Sequence, residues 1–163
     1  MKKLKAGVLG AGHLGKIHLR LLQESESYEL MGFYDPDTTA ARALAEKEGY
    51  TAFGSIEELL TAVDMVDIVT PTMVHHQMAI QCLNSGKHIF IEKPITQTIA
   101  QAEEIVSLAN QKGLKGQVGH VERFNPAFKA IEEHIEKPMF IEAHRLAEFN
   151  QRGTDVPVIL DLS

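Results

Sequence analysis

Three glycines stand close together near the start of the chain, within residues 10–15. An apolar run directly precedes them, and residues with helical spacing follow. At this spacing the first glycine permits a tight turn, the second lets a ligand approach the backbone, and the third allows close helix–strand packing. Free N–H groups at a helix N-terminus attract phosphate. We therefore expect a dinucleotide pyrophosphate to bind at Gly10, Gly12, His13, Leu14 and Gly15.

An acidic residue, Asp35, follows Gly15 by twenty positions, at the end of a second apolar run. A carboxylate there can accept hydrogen bonds from the ribose hydroxyls of an adenosine, and it would repel a 2′-phosphate. Because no arginine directly follows Asp35, the sequence favours NAD over NADP. Two alternatives stay open at this point: a ligand-free turn with Asp35 as a helix cap, and a methyltransferase, whose usual glycine spacing differs.

A later apolar run ends in Thr70, Pro71 and Thr72. In a doubly wound sheet this turn faces the cofactor, so we expect Thr70, Pro71 and His75 to contact it. Thr72 is expected to cap the helix that follows. His75 and His76 suggest a metal site, but neighbours on a helix point in different directions. With no carboxylate or cysteine nearby, we expect no metal and interpret His76 as a surface residue.

The next apolar run ends in Glu92, Lys93 and Pro94. Lys93 would project from the strand end into the ligand crevice, where it could donate a hydrogen bond or act as an acid–base group. The competing interpretation, which these residues favour when taken alone, is a solvated ion pair between Lys93 and Glu92. X-Pro bonds are cis in about 5–6% of cases, and the sequence leaves the isomer of Lys93–Pro94 open.

A third polar segment, residues 119–126, follows the last strand-like run and contains His120 and Arg123. It is dense in polar groups at the point where the predicted sheet ends. The alternative is a plain loop before a helix that begins at Pro126, since proline is favoured at the first helical position.

Strand-like runs alternate with helical patterns along most of the chain. This alternation predicts βαβ units, and right-handed crossovers then predict an α/β fold with a doubly wound parallel Rossmann sheet. Ligands bind at the carboxyl ends of the strands in such sheets. The predicted strands cover residues 5–9, 30–34, 51–53, 66–70, 88–91 and 116–119.

The predicted helices have defined ends. Helical patterns stop at Gly49, Gly86 and Gly113, and Ser55 with Glu58 forms a capping box at the start of another helix. Helical spacing from Phe128 to Ile135 predicts a further helix, and residues 139–149 predict a long strand.

Composition narrows the class of protein. The 163 residues, 44% of them hydrophobic, suffice for one domain with a core. The formal net charge of −6 argues against binding to nucleic acid or anionic lipid. Cys82 is the single cysteine, a small core residue by its helical pattern, and a reducing cytoplasm is the compartment expected. The basic first 20 residues lack an apolar segment typical of a signal peptide, and no run reaches the roughly 18 apolar residues of a membrane span.

In this order the motifs resemble the glucose–fructose oxidoreductase / inositol dehydrogenase (Gfo/Idh/MocA) family. The resemblance covers essentially the whole chain, and the Glu-Lys-Pro signature is its most specific element. It implies an NAD(P)-dependent oxidoreductase that acts on a hydroxyl of a sugar, cyclitol or sugar nucleotide. The matching segments are residues 10–15, Asp35, residues 70–75, residues 92–94 and residues 119–126.

The resemblance also implies roles for individual residues. Lys93 would contact both the nicotinamide ribose and the substrate, and it is the catalytic residue that we expect. Glu92 and Arg123 would lie at the cofactor, and His120 would lie near the nicotinamide and contact substrate. The amino-acid sequence of residues 119–126 is most similar to that of family members that oxidise UDP-N-acetyl sugars.

Members of this family carry a second, α+β domain with an open antiparallel sheet that often forms a dimer interface. We interpret residues 1–122 as the NAD-binding Rossmann domain, and residues 123–163 as a helix and the start of a truncated substrate or dimerisation domain. Residues 140–149 would be the first strand of that domain. Asp161 would contact substrate, because it matches the Asp of a family Asp-x-x-x-His motif whose His would follow Ser163 by two positions.

Two functions follow from these observations. One is the cofactor-binding half of an NAD-dependent dehydrogenase, expected to bind NAD with little turnover and to form a homo-oligomer. The other is a stand-alone, non-enzymatic NAD-binding or dimerisation module, since an unpaired strand edge pairs with partners.

Overall fold

The structure, a computed structural model, describes residues 3–132, 134–135, 137–142 and 144. Its strands are β1 (Leu4–Leu9), β2 (Tyr28–Tyr34), β3 (Met65–Ile68), β4 (His88–Ile91) and β5 (Gly116–Val118). They pair in parallel in the order β2-β1-β3-β4-β5. The chain starts at β1, inside the sheet, forms the edge strand β2 beside it, and then crosses to the other side of β1, where β3, β4 and β5 follow in order. This topology confirms the doubly wound α/β prediction.

Helices make the connections between the strands. Those described are α1 (His13–Glu24), α2 (Thr38–Glu48), α3 (Ile56–Ala62), α4 (Thr72–Asn84), α5 (Ile99–Gln111) and α6 (Pro126–Glu132). A short 3₁₀ helix, Val121–Phe124, precedes α6. Within the described part of the chain, none of these helices combines the length and the apolar character that crossing a membrane requires.

Alternate residues of the strands face opposite sides of the sheet, and both sides are covered. Val66 and Ile68 of β3 join the larger apolar cluster, which α3, α4 and α5 close. Val8 and Phe33 belong to a second cluster beneath α1 and α2. Asp67 lies between Val66 and Ile68, so its side chain faces α1 rather than the larger cluster. A charged residue is thereby buried in the sheet.

The helix ends predicted at Gly49 and Ser55 are confirmed. Gly49 follows α2 with a φ of +75°, a left-handed conformation that favours glycine. The Ser55 hydroxyl accepts a hydrogen bond from the Glu58 N–H at 3.2 Å. The Glu58 carboxylate accepts one from the Gly54 N–H at 2.9 Å, one residue earlier than in a standard capping box. Cys82 is buried, as predicted, and burial raises the pKa of its thiol to about 12.

Two local predictions are wrong. Residues 51–53 do not form a strand of the sheet but make a single parallel bridge between Ala52 and Phe33, because α3 begins shortly afterwards at Ile56. Thr72 does not cap α4. The extended Pro71 precedes the helix, and Thr72 is already its first residue.

The last helix begins at Pro126, as predicted, but ends at Glu132, short of Ile135. Residues 139–142 and 144 form no strand, since none of the described strands pairs with them. The rest of the predicted strand over 139–149, and Asp161, lie outside the described residues.

Candidate dinucleotide-binding site

The glycine turn joins the end of β1 to the start of α1, in the middle of the sheet. Gly10 has a φ of +94°, and a Cβ there would lie 2.7 Å from the carbonyl oxygen of Val69. A Cβ on Gly15 would collide with the carbonyl oxygen of Gly10. A Cβ on Gly12 would meet no atom within 4 Å. The turn therefore needs Gly10 and Gly15 for its own conformation, whereas Gly12 borders open space at the N-terminus of α1.

Asp35 lies against this turn from the end of β2. Its Oδ2 accepts a hydrogen bond from the Ala11 N–H at 2.7 Å, and its Oδ1 accepts one from the Asp37 N–H at 2.9 Å. The residue that caps α2 is Asp37, through the Ala40 N–H at 2.9 Å. The interpretation of Asp35 as an ordinary helix cap is therefore wrong, and its carboxylate borders the glycine turn, where the sequence predicts a ribose.

His75 lies under the next strand end rather than on its surface. It is 1% exposed, and its Nδ1 lies 2.9 Å from the carbonyl oxygen of Pro94 while its Nε2 lies 2.7 Å from that of Thr70. The ring thus joins the turn after β3 to the turn after β4. A direct bond from His75 to a cofactor stays a prediction, and it would have to replace one of these contacts. His76 faces Glu104 at 2.8 Å near the surface, as predicted.

The turn after β4 contains Glu92, Lys93 and Pro94, and its Lys93–Pro94 peptide bond is cis. Glu92 is only 8% exposed, so the solvated setting of the ion-pair interpretation is wrong, whereas the positive charge of Lys93 does act on Glu92 and helps to lower its pKa. Glu92 Oε2 accepts a hydrogen bond from the Lys93 N–H at 3.1 Å. The turn is therefore anchored in the interior through its glutamate.

A half-buried histidine, His18 of α1, connects residues of two neighbouring strand segments. Its Nδ1 lies 2.8 Å from Asp67 Oδ2 and its Nε2 lies 3.4 Å from Glu92 Oε1. Sequence reasoning did not single out His18 and missed this cluster. The available signal was Asp67, a charged residue within an apolar run that reads as a buried strand.

Burial and neighbouring charges shift the pKa values of His18, Asp67 and Glu92 in opposite directions. Burial alone would lower the pKa of His18, but hydrogen bonds to Asp67 and Glu92 and their negative charges outweigh it and raise the pKa to about 10. Burial raises the pKa of Asp67 despite its bond to His18. Burial would also raise the pKa of Glu92, but the His18 and Lys93 contacts overcome it and lower that pKa. The cluster is thus built around a protonated imidazole.

The segment after β5 closes on the same cluster. Gly119 is buried, and a Cβ there would lie 2.7 Å from Glu92 Oε1. His120 and Arg123 follow on the exposed 3₁₀ segment at the carboxyl end of the strand. Their predicted contacts with cofactor and substrate stay predictions.

The comparisons with known proteins agree with this geometry. Residues 4–120 match the Gfo/Idh/MocA family model, described as an oxidoreductase family with an NAD-binding Rossmann fold. UDP-N-acetylglucosamine 3-dehydrogenase of Acidithiobacillus ferrooxidans is 35% identical over 163 residues, which are 99% of this chain and 51% of that protein. Its solved structure superposes with a TM-score of 0.88 over 99% of this chain and 53% of its own.

More distant relatives extend the comparison. The scyllo-inositol 2-dehydrogenase (NAD(+)) of Bacillus subtilis is 32% identical over 82% of this chain and 40% of its own length. GenD2 from gentamicin A biosynthesis, solved with NAD, shares the fold at 24% identity and a TM-score of 0.77, over 82% of this chain and 39% of its own. The chain spans about half the length of the curated relatives that it matches. It belongs to the Gfo/Idh/MocA oxidoreductase family, and residues 4–120 are its NAD-binding Rossmann domain.

Proposed function

We propose that this chain is the cofactor-binding part of an oxidoreductase that transfers a hydride between NAD and a hydroxyl of a sugar, cyclitol or sugar nucleotide. The observation that carries the proposal is the open space at Gly12, bordered by the N-terminus of α1 and by Asp35. The relatives' names support the substrate class, since they include UDP-N-acetylglucosamine 3-dehydrogenase, glucose-6-phosphate 3-dehydrogenase and scyllo-inositol 2-dehydrogenase.

The glycine turn would hold the pyrophosphate. Backbone N–H groups at the start of α1 and the positive end of its dipole attract phosphate oxygens. Asp35 would accept hydrogen bonds from the adenosine ribose, because each carboxylate oxygen has a second lone pair beside the one used in the structure. The residues proposed for the pyrophosphate are Gly10, Gly12, His13, Leu14 and Gly15.

The turn after β4 would serve the reacting end of the dinucleotide. NAD, when bound, supplies the acceptor for the hydride that leaves the alcohol carbon. Lys93 would bind the alcohol oxygen and take its proton as the carbonyl forms, which is the task of a general base. Thr70, Pro71 and Arg123 would line the cofactor, and His120 and Asp161 would contact substrate.

Binding and turnover are separable in this proposal. We expect the 163 residues to bind NADH saturably and to oxidise UDP-N-acetylglucosamine, scyllo-inositol or glucose 6-phosphate slowly, because the chain spans only 35% to 51% of these relatives. Calorimetry with NADH, and absorbance of NADH formed from NAD⁺, measure the two. Absence of both heat and thermal shift at millimolar NADH would overturn the proposal.

Cofactor preference tests the role of Asp35. Asp35→Asn should weaken NADH about tenfold and reduce the preference for NADH over NADPH, because the charge that attracts ribose hydroxyls and repels a 2′-phosphate is gone. Asp64→Asn is the matched control, since Asp64 also accepts a backbone N–H, from Lys5 at 3.0 Å, at the opposite end of the sheet. An unchanged NADH-to-NADPH ratio in Asp35→Asn would contradict the assignment.

A second candidate is a non-enzymatic NAD-binding or dimerisation module. One observation favours it: apolar side chains of the 3₁₀ helix and α6 are exposed, among them Phe124 at 69% and Ile131 at 50%. Such a surface is typical of a contact with another chain or domain. Size-exclusion chromatography with light scattering tests it, and a monomer at high protein concentration would count against a dimer.

A further inference from the structure

His18 contacts a carboxylate with each of its ring nitrogens, Asp67 through Nδ1 at 2.8 Å and Glu92 through Nε2 at 3.4 Å. A neutral imidazole has one N–H and one acceptor nitrogen, and the acceptor would face a carboxylate oxygen. Only the imidazolium presents an N–H to both. The geometry therefore favours a positive charge on His18, between Asp67 of β3 and Glu92, which directly follows β4.

The contacts continue from His18 to the turn after β4. Glu92 Oε1 faces His18, and Glu92 Oε2 accepts the Lys93 N–H at 3.1 Å. Gly119 leaves just enough room for Glu92 Oε1, because any Cβ there would lie 2.7 Å from it. Glu92 is thus fixed by three elements, and the peptide of Lys93 is bonded to it.

We propose that His18, held between Asp67 and Glu92, is a positioning residue that fixes the turn carrying Lys93. This inference rests on the proposed function, in which that turn faces the nicotinamide half of the dinucleotide. His75 holds the same turn from the other side through the carbonyl oxygen of Pro94. The turn is clamped by the half-buried His18 and the buried His75, of which His18 supplies the charge.

Loss of His18 would leave two buried carboxylates without their shared cation. Asp67 Oδ1 already has no hydrogen-bond partner among the described residues, so Asp67 has no second contact to fall back on. Like charges at short range in the interior repel, and one of the two groups must take up a proton or move. Glu92 lies in the turn after β4, whereas Asp67 lies within β3, so Glu92 is the group that we expect to move, and the Lys93 peptide would move with it.

The test compares two ligands of the same site. ADP reaches the glycine turn and Asp35, whereas NADH also reaches the turn after β4. In His18→Gln, which keeps bulk and one N–H but lacks the charge, we expect about tenfold weaker NADH binding and ADP binding within about twofold of wild type. His76→Gln is the matched control, since it removes a histidine–carboxylate contact near the surface. We expect it to change neither affinity.

If His18→Gln binds ADP and NADH with equally reduced affinity, His18 has only a general structural role and the inference is overturned. Unchanged NADH affinity would also overturn it. If His18→Gln does not fold, Asp67→Asn takes its place, because it removes the carboxylate that holds His18 Nδ1 and leaves the residues of the turn after β4 unchanged. The same split between NADH and ADP is expected, and its absence would overturn the inference.

A ligand-free measurement separates this inference from the proposed function. Nitrogen NMR of the wild-type chain should show both ring nitrogens of His18 protonated at neutral pH. His18→Gln, but not His76→Gln, should shift the amide signal of Lys93. If wild type binds no NADH, the proposed function fails, and the NMR result still decides the clamp. A neutral His18 or an unmoved Lys93 signal would overturn it.

Discussion

The glycine turn after β1 and the Glu-Lys-Pro turn after β4 both lie at the carboxyl ends of the strands, but different interactions hold them. The first takes its shape from the backbone, because Gly10 needs a φ of +94° and Gly15 packs against the carbonyl of Gly10. The second is held by side chains of α1 and α4, through His18 and His75. A local motif can encode the first, whereas the second depends on contacts between distant parts of the chain.

The substitution Gly15→Ala is expected to have the largest effect on the glycine turn. Gly15→Ala places a Cβ against the Gly10 carbonyl, so α1 must move away from β1. We expect a loss of about 3 kcal/mol in the free energy of unfolding and loss of NADH binding. Gly116→Ala is the control, because its Cβ would make ordinary contact with Ile89 at 3.5 Å. Urea denaturation measures both, and a Gly15→Ala variant as stable as wild type would contradict the backbone account.

The same contrast explains how far the sequence could be read. The glycine spacing, Asp35 and the cap at Ser55 are local signals, and each lies where the pattern predicts. The His18–Asp67 contact joins residues 49 positions apart, and no local pattern specifies it. The helical spacing of α1 places His18 on an inner face, but only the register of β3 beside β1 brings Asp67 under it.

Residues 51–53 show a second limit. Their composition is typical of a strand, yet a strand needs a partner along its length, and α3 begins too soon after them for a ladder to form. Thr72 is similar, because the extended Pro71 takes the position before the helix that the hydroxyl was predicted to fill. The types of the longer elements were predictable, whereas short runs and exact ends depend on neighbours.

A smaller expected effect is the pH dependence of the stabilisation that His18 gives to the turn after β4. Burial lowers the pKa of His18, but hydrogen bonds to Asp67 and Glu92 and their negative charges outweigh burial and raise this pKa from 6.5 to about 10. A raised pKa means that the stabilisation is complete below pH 6.5 and is lost as pH rises through about 10. The charged groups around His18 in the described residues are Asp67 from β3 and Glu92 after β4, with Lys93 acting on Glu92.

We therefore expect wild type to be more stable than His18→Gln at pH 6.5, with the difference shrinking toward pH 10. Urea midpoints across that range measure it, and His76→Gln should follow wild type. A difference that stays constant with pH would contradict a charged His18.

The central claim is that the open space at Gly12 is the site of a dinucleotide pyrophosphate. A Cβ on Gly12 meets no atom within 4 Å in the protein, so Gly12→Ala should unfold at the same temperature as wild type. It should also bind NADH at least about tenfold more weakly, because the methyl group occupies the space of the phosphates. Calorimetric titration with NADH beside a thermal melt tests both. Equal NADH affinity in Gly12→Ala and wild type, at equal stability, would contradict the account.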